Sequence, residues 1–273
     1  MADTTVSGAG GRLGATITGD GIPVVLLHGL TATRRYVVMG SRVLERSGHR
    51  VVAYDARGHG ASDPAPAPAA YGYGELAADL EAVLDAAGLA RAVLAGASMG
   101  AHTALRFALD RPERVAGLCL ITPAYDPAAP ADAAALAGWD ALAAGLRTGG
   151  ADGFVAAYDL AAVPAAWRAT VETVLRQRLA RHEHPAAVAD ALSAVPRSRP
   201  FTGLEDLGRL AVPAAIVASR DEADPSHPRA VGEAYADAIP GATVHTEAPG
   251  ASPLAWQGSQ LSRIIAGVAA RAG

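Results

Sequence analysis

A glycine-flanked serine is the residue of this 273-residue chain whose surroundings best suit covalent chemistry. Residues 96–100 read Gly-Ala-Ser-Met-Gly and follow an apolar run typical of a buried strand. A helical pattern begins directly after them. In this context Gly-x-Ser-x-Gly is typical of a nucleophile elbow, a strained turn that exposes the serine hydroxyl. The start of the following helix favours negative charge developing beside it. The motif therefore predicts Ser98 as a nucleophile.

Two further motifs connect this serine to a known family. His28-Gly29-Leu30 follows a second buried run, and residues 55–62 read Asp-Ala-Arg-Gly-His-Gly-Ala-Ser. With these motifs in this order, the chain resembles the α/β-hydrolase family over most of its length, and most weakly over residues 125–200. The resemblance implies an oxyanion hole made by the backbone N–H groups of Leu30 and Met99. Such donors stabilise the tetrahedral intermediate of acyl transfer.

The same resemblance implies an acid after the penultimate strand, which we predict at 214–218. Asp224 is preferred, because Asp224-Pro225 matches the family's Asp-Pro pattern. Asp221 matches better by its distance from the strand and is the first alternative. Asp126, after the preceding strand, is a further alternative, because some members carry the acid there.

The family's catalytic histidine is missing from its usual place after the last strand. Alignment of the C-terminal helix puts Ala251 in that position. Alanine cannot accept the serine proton, and a serine hydroxyl without a base is a weak nucleophile at neutral pH. Three explanations stay open: an engineered His-to-Ala change made to trap a ligand, a natural loss, or another histidine acting as base. The alternative bases are His227, three residues past Asp224, and His245, inside the last strand.

Alternating strand and helix patterns predict the fold that must position these residues. Apolar runs without polar alternation suit strands buried on both faces of a parallel sheet. Helical patterns lie between them, which predicts an α/β fold with a mostly parallel, doubly wound sheet and its chemistry at the strands' carboxyl ends. The predicted strands are 15–18, 23–27, 50–54, 92–95, 115–122, 214–218 and 243–246, and the predicted helices are 33–47, 74–87, 99–109, 228–239 and 260–270.

Residues 125–200 break this alternation and are rich in alanine. We interpret them as a helical cap inserted into a core made of residues 1–124 and 201–273. A cap over the elbow would enclose a largely apolar substrate pocket. The residues predicted to line it are His28, Gly29, Tyr125, Trp139, Phe154, Tyr158 and Trp167. His28 and His59 resemble family residues that shape and pack these loops, and His102, on the helix after the elbow, is likewise predicted to be mainly structural.

Composition limits the class of partner. The formal net charge of −4 argues against nucleic acid. Neither a signal-peptide pattern nor an apolar run of about 18 residues is present, which predicts a cytoplasmic protein without a membrane partner. The single cysteine, Cys119, cannot form an internal disulfide. No metal-ligand cluster or phosphate-binding glycine loop occurs, so we expect no metal and no cofactor. The sequence gives no indication of the oligomeric state.

These features together predict an enzyme that cleaves an ester, lactone or related acyl bond of a small molecule through Ser98. A serine at this position resembles the esterase, lactonase and haloperoxidase-like branch, rather than the branches that use aspartate there. Because the usual histidine is absent, a lyase, isomerase, cyclase or small-molecule binder on the same scaffold is the alternative.

Overall fold

A single sheet of eight strands lies at the centre of the residues that the computed structural model describes, which are 3–129, 132–220, 226–248 and 256–272. The strands are β1 (Asp3–Ser7), β2 (Arg12–Thr18), β3 (Ile22–Leu27), β4 (His49–Tyr54), β5 (Ala92–Ala97), β6 (Val115–Ile121), β7 (Ala214–Val217) and β8 (Thr243–His245). Their order is β1-β2-β4-β3-β5-β6-β7-β8. β2 is antiparallel to both of its neighbours, and every pair from β4 to β8 is parallel. This confirms the predicted mostly parallel α/β fold. β1 was not predicted, because its polar, exposed residues lack an apolar run.

The helices pack on both faces of the sheet and above one edge of it. They are α1 (Val43–Arg46), α2 (Tyr73–Ala86), α3 (Met99–Asp110), α4 (Ala133–Ala157), α5 (Arg168–Leu179), α6 (Pro185–Ala194), α7 (Arg229–Ala238) and α8 (Gly258–Ala272). The helix predicted over 33–47 is wrong for most of its length. Met39 and Gly40 have φ values of 47° and 74°, which a right-handed helix does not contain. Only Val43–Arg46 forms helix there.

Side chains of alternate residues on the central strands pack into two hydrophobic layers, one on each face of the sheet. On β3, Val25 and Leu27 join the cluster that includes side chains of α2 and α3. Val24 and Leu26 join the opposite cluster, which includes side chains of α8. Because both faces are covered, these strands are apolar throughout. The carboxyl ends of β3, β5, β6 and β7 therefore meet at one edge, with their loops on the same side.

Between β6 and β7 the chain forms the helical segment, defined here as residues 133–197. It contains α4, α5 and α6 and has its own hydrophobic cluster, against which Leu30 of the β3 loop packs. α4 is interrupted at Gly150, where φ is 58°. The helical segment thus lies against the loop that follows β3, and the boundaries predicted for a cap, 125–200, stay a prediction.

Candidate active site

Ser98 lies in a strained turn between β5 and α3. Its φ and ψ are 49° and −111°, a region that a non-glycine residue occupies only when its surroundings impose it. The Ser98 N–H donates to the Ile121 carbonyl over 2.9 Å, and the Ser98 carbonyl accepts from His102 N–H over 3.1 Å. The turn leaves Ser98 half-buried at the carboxyl end of β5. This is the geometry expected of a nucleophile elbow.

The two glycines of the motif are required by close backbone contacts. A Cβ on Gly96 would lie 2.2 Å from the Gly100 carbonyl oxygen. A Cβ on Gly100 would lie 2.3 Å from the Leu27 carbonyl oxygen. Neither position leaves room for a side chain, so α3 can approach β3 and β5 only because both residues are glycine.

The loop after β3 lies directly against this turn. A Cβ on Gly29 would lie 3.5 Å from Ser98 Cβ. Residues 29–32 form a turn closed by Ala32 N–H donating to the Gly29 carbonyl over 3.0 Å. Leu30 is the second residue of this turn. Met99 is the first residue of α3, where N–H groups have no acceptor within the helix. The structure thus places Leu30 in the turn that begins at Gly29 and Met99 directly after Ser98, and their role as oxyanion donors stays a prediction.

His227 contacts Ser98 from the loop between β7 and α7. Its Nε2 lies 2.9 Å from Ser98 Oγ. Its Nδ1 lies 3.1 Å from Ser226 Oγ. When Nε2 accepts the serine proton, the neutral ring carries its own proton on Nδ1 and donates it to Ser226 Oγ. The contact joins two residues 129 positions apart in the chain.

The remaining predicted acid and base residues have other positions. Asp126 is exposed, and its Oδ1 accepts from Ala128 N–H over 2.9 Å. His245 ends β8, three strands from β5 in the sheet, which corresponds to about 14 Å. Asp221, Asp224 and Ala251 lie outside the described residues.

Hydrogen bonds join the loop that carries His227 to the segment that follows β8. Glu247 is buried, and its Oε1 accepts from Arg220 N–H over 2.6 Å. The indole Nε1 of Trp256 donates to Ser219 Oγ over 3.2 Å. These two contacts fix the start of the β7 loop. Neither Glu247 nor Trp256 belongs to a recognisable motif, so neither was predicted from the sequence.

Three buried histidines connect the loops around the elbow. His28 Nδ1 donates to the Gly29 carbonyl over 2.8 Å, and its Nε2 accepts from Ala56 N–H over 2.9 Å. Burial lowers the pKa of His28 to about 3, so the ring stays neutral. The His59 ring lies 5.1 Å from that of His28 and 5.5 Å from that of His182. His182, which the sequence analysis did not single out, comes from the helical segment.

His102 performs a similar role behind Ser98. Its Nε2 accepts from Ala124 N–H over 3.1 Å and from Tyr125 N–H over 3.2 Å. Nδ1 is therefore the protonated nitrogen, and it donates to the Tyr73 hydroxyl over 3.1 Å. Burial first, and the nearby His227 second, lower the pKa of His102 to about 3. The turn after β6 is thereby held against α3.

The predicted pocket aromatics do not form one group. Phe154 is buried and stacks on Tyr158 with 6.2 Å between ring centroids. Trp139 and Tyr158 are half-buried against the cluster that also contacts Leu30. Trp167 is exposed at the surface. The Tyr125 hydroxyl donates to the Phe201 carbonyl over 3.3 Å. Trp139 and Tyr158 therefore lie against the same cluster as Leu30, and their role as pocket residues stays a prediction.

Neither a membrane-spanning helix nor a metal-ligand cluster occurs within the described ranges. No helix there combines the length and apolar character needed to cross a bilayer. No cluster of three or more His, Cys, Asp or Glu residues there is arranged to hold a metal ion.

The chain is similar to a known protein family, to a curated relative and to solved structures. A family model described as alpha/beta hydrolase fold matches residues 22–251. The chain is 31% identical over 227 residues to a protein of Variovorax paradoxus (strain S110) named "Putative carbamate hydrolase RutD", covering 83% of each chain. A hydrolase from Pseudomonas aeruginosa PA01 has a TM-score of 0.70 at 26% identity, covering 90% of this chain and 89% of that one. Est816, titled an N-acyl homoserine lactone degrading enzyme, has a TM-score of 0.70 at 25% identity, covering 96% of each chain.

Proposed function

Because this chain belongs to the α/β-hydrolase family and is a hydrolase acting on small-molecule ester- and amide-like bonds, we propose that it cleaves an acyl bond through Ser98, with His227 as the base. The 2.9 Å contact between His227 Nε2 and Ser98 Oγ carries this proposal. It supplies the hydrogen bond between nucleophile and base that activates a serine.

The proposed reaction has two halves. Ser98 Oγ attacks the substrate carbonyl while its proton passes to His227 Nε2, and the N–H groups of Leu30 and Met99 donate to the oxyanion. His227 then gives that proton to the departing oxygen or nitrogen, which leaves an acyl-enzyme. Water attacks the acyl group as His227 takes one of its protons. The intermediate collapses, Ser98 Oγ departs with the proton from His227, and the acid product leaves.

The position of His227 supports the third explanation for Ala251. β7 and β8 are neighbouring parallel strands, so their carboxyl ends lie about 4.8 Å apart. A histidine on the β7 loop can therefore approach the nucleophile from nearly the same side as one on the β8 loop. We propose that the base has moved from the β8 loop to the β7 loop. A deliberate His-to-Ala change is then not needed to explain the sequence.

The Ser226 hydroxyl, 3.1 Å from His227 Nδ1, helps to orient the His227 imidazole. An imidazolium formed during the reaction is stabilised further by a carboxylate. Asp224, two residues before Ser226, stays our prediction for that carboxylate. The substrate is proposed to be a small, largely apolar acyl compound held between the elbow and the helical segment, because Leu30 packs against an apolar cluster there.

Hydrolysis of p-nitrophenyl acetate and butyrate tests this function. Wild-type protein should hydrolyse these esters, and the Ser98→Ala variant should not. His227→Gln should lower kcat by at least about 10³-fold, because loss of the base leaves only binding and the oxyanion hole. His184→Gln, a half-exposed histidine at the start of α6, is the matched control and should retain activity. Turnover that survives His227→Gln would contradict the proposal, and no binding-only protein would give turnover that depends on Ser98.

A further inference from the structure

The turn that carries Leu30 contains a residue in an unfavourable conformation. Thr31, the third residue of the turn closed by Gly29 and Ala32, has a φ of 66°. A turn with positive φ at this position normally carries glycine or asparagine. For a β-branched residue such a φ is a genuine outlier. Such strain persists only where surrounding contacts impose it, so something must hold Thr31 in place.

Two side chains of the helical segment make those contacts. Arg178, in the last turn of α5, donates through Nη2 to the Leu30 carbonyl and to Thr31 Oγ1, each over 3.0 Å. His182 Nε2 donates to the Thr31 carbonyl over 2.9 Å. His182 Nδ1 accepts from Gly60 N–H over 2.8 Å, which fixes the imidazole against the core. The peptide groups on both sides of Thr31 are therefore held from the helical segment.

Arg178 is suited to this task by its shape and charge. One guanidinium nitrogen donates to the carbonyl and to the hydroxyl of consecutive residues, and the guanidinium is itself planar and rigid. The guanidinium carbon of Arg178, Cζ, also lies 6.0 Å from the centre of the Tyr36 ring, within the range of a cation–π contact. Hydrogen bonds from a charged donor are about twice as strong as neutral ones. The Leu30 carbonyl is consequently fixed in the orientation that positive φ at Thr31 demands.

We propose that Arg178 is a positioning residue for the reaction: from the helical segment, it holds the Leu30–Thr31 peptide and with it the whole turn of residues 29–32. The Leu30 N–H, which belongs to the preceding Gly29–Leu30 peptide of that turn, thereby points at the developing oxyanion. This inference rests on the function proposed above. Without Arg178, Thr31 relaxes towards negative φ and the Leu30 N–H loses its fixed direction. Substrate binding depends little on this N–H, because the oxyanion forms only in the transition state. The loss should therefore affect kcat rather than KM.

A double-variant cycle tests the proposal. Arg178→Met in the wild-type background should lower kcat by about 10- to 100-fold, somewhat less than removal of an oxyanion donor, with KM changed by less than about threefold. Glycine adopts a φ of 66° without strain. In the Thr31→Gly background, Arg178→Met should therefore lower kcat by less than about threefold. Arg176→Met is the matched control on the same helix, because Arg176 pairs only with exposed or half-exposed carboxylates in the described structure.

Thermal unfolding of wild type, Arg178→Met, Thr31→Gly and the double variant gives a readout that does not need activity. Arg178→Met should lower Tm more in the Thr31 parent than in the Thr31→Gly variant. Equal kcat losses and equal Tm decreases in the two backgrounds would overturn the inference while the proposed function stands. A wild-type protein that neither turns over esters nor reacts at Ser98 would instead refute the proposed function, and the Tm cycle would still decide whether Arg178 holds the turn.

Discussion

Gly100→Ala tests whether the elbow depends on close backbone packing. The added Cβ would lie 2.3 Å from the Leu27 carbonyl oxygen and 2.8 Å from that of His28, whereas carbon contacts normally begin at about 3.5 Å. The start of α3 must therefore retreat by about 1 Å. Overpacking of this kind costs about 1–3 kcal/mol. A displacement of 1 Å at the reacting atom lowers activity by about 10²-fold.

Thermal unfolding and ester hydrolysis together measure both consequences. We expect Tm to fall by about 2–12 °C, given roughly 2–4 °C per kcal/mol for a chain of this size. We expect kcat/KM to fall by about 10²-fold. Gly267→Ala is the matched control, because nothing lies within 4 Å of a Cβ at that α8 position, and it should stabilise the protein by about 0.5–1 kcal/mol. Wild-type Tm and kcat/KM in Gly100→Ala would refute the reasoning.

Two further predictions concern stability. Burial lowers the pKa of His28 and of His102 to about 3, while the unfolded rings titrate near 6.5. Unfolding thus takes up protons between about pH 6.5 and 3, and the free energy of unfolding falls with falling pH by up to about 2.7 kcal/mol per unit from these two rings. Urea titrations at pH 7, 6 and 5 measure this slope, and a flat profile would contradict it. Asp55 is fully buried, pairs with Arg34 and accepts from Ala61 N–H over 3.1 Å, so Asp55→Asn should cost about 3 kcal/mol in a urea titration at pH 7; a loss below about 1 kcal/mol would show that the pair contributes little.

The sequence was most informative where function depends on local backbone geometry. Gly96 and Gly100 identify the elbow, because no other residue fits there. The strands of the parallel sheet follow from continuous apolar runs. β1 escaped prediction because an exposed edge strand needs no such run. The helix predicted over 33–47 is wrong for most of its length, because a positive φ such as that of Met39 cannot be recognised in a pattern of apolar residues.

Contacts between distant loops could not be predicted in the same way. Spacing in the sequence predicted His227 on the loop after β7, where the structure has it, but only as one alternative base, since spacing does not tell which side chain of that loop turns towards Ser98. Arg178 and His182 belong to a segment without recognisable motifs. Their partners are backbone carbonyls, and any residue type supplies those. Such positioning contacts become visible only once the tertiary structure is known.

The rate at which a fluorophosphonate labels Ser98 tests the role of His227 most directly, because this reaction needs an activated hydroxyl and no particular acyl substrate. Mass spectrometry of the labelled peptide gives the second-order rate constant for wild type, His227→Gln and Ala251→His. We predict rapid labelling of the wild type, a decrease of at least about 10³-fold in His227→Gln, and no gain from Ala251→His. Slow labelling of the wild type that Ala251→His accelerates would contradict the account, since the missing base would then belong at position 251.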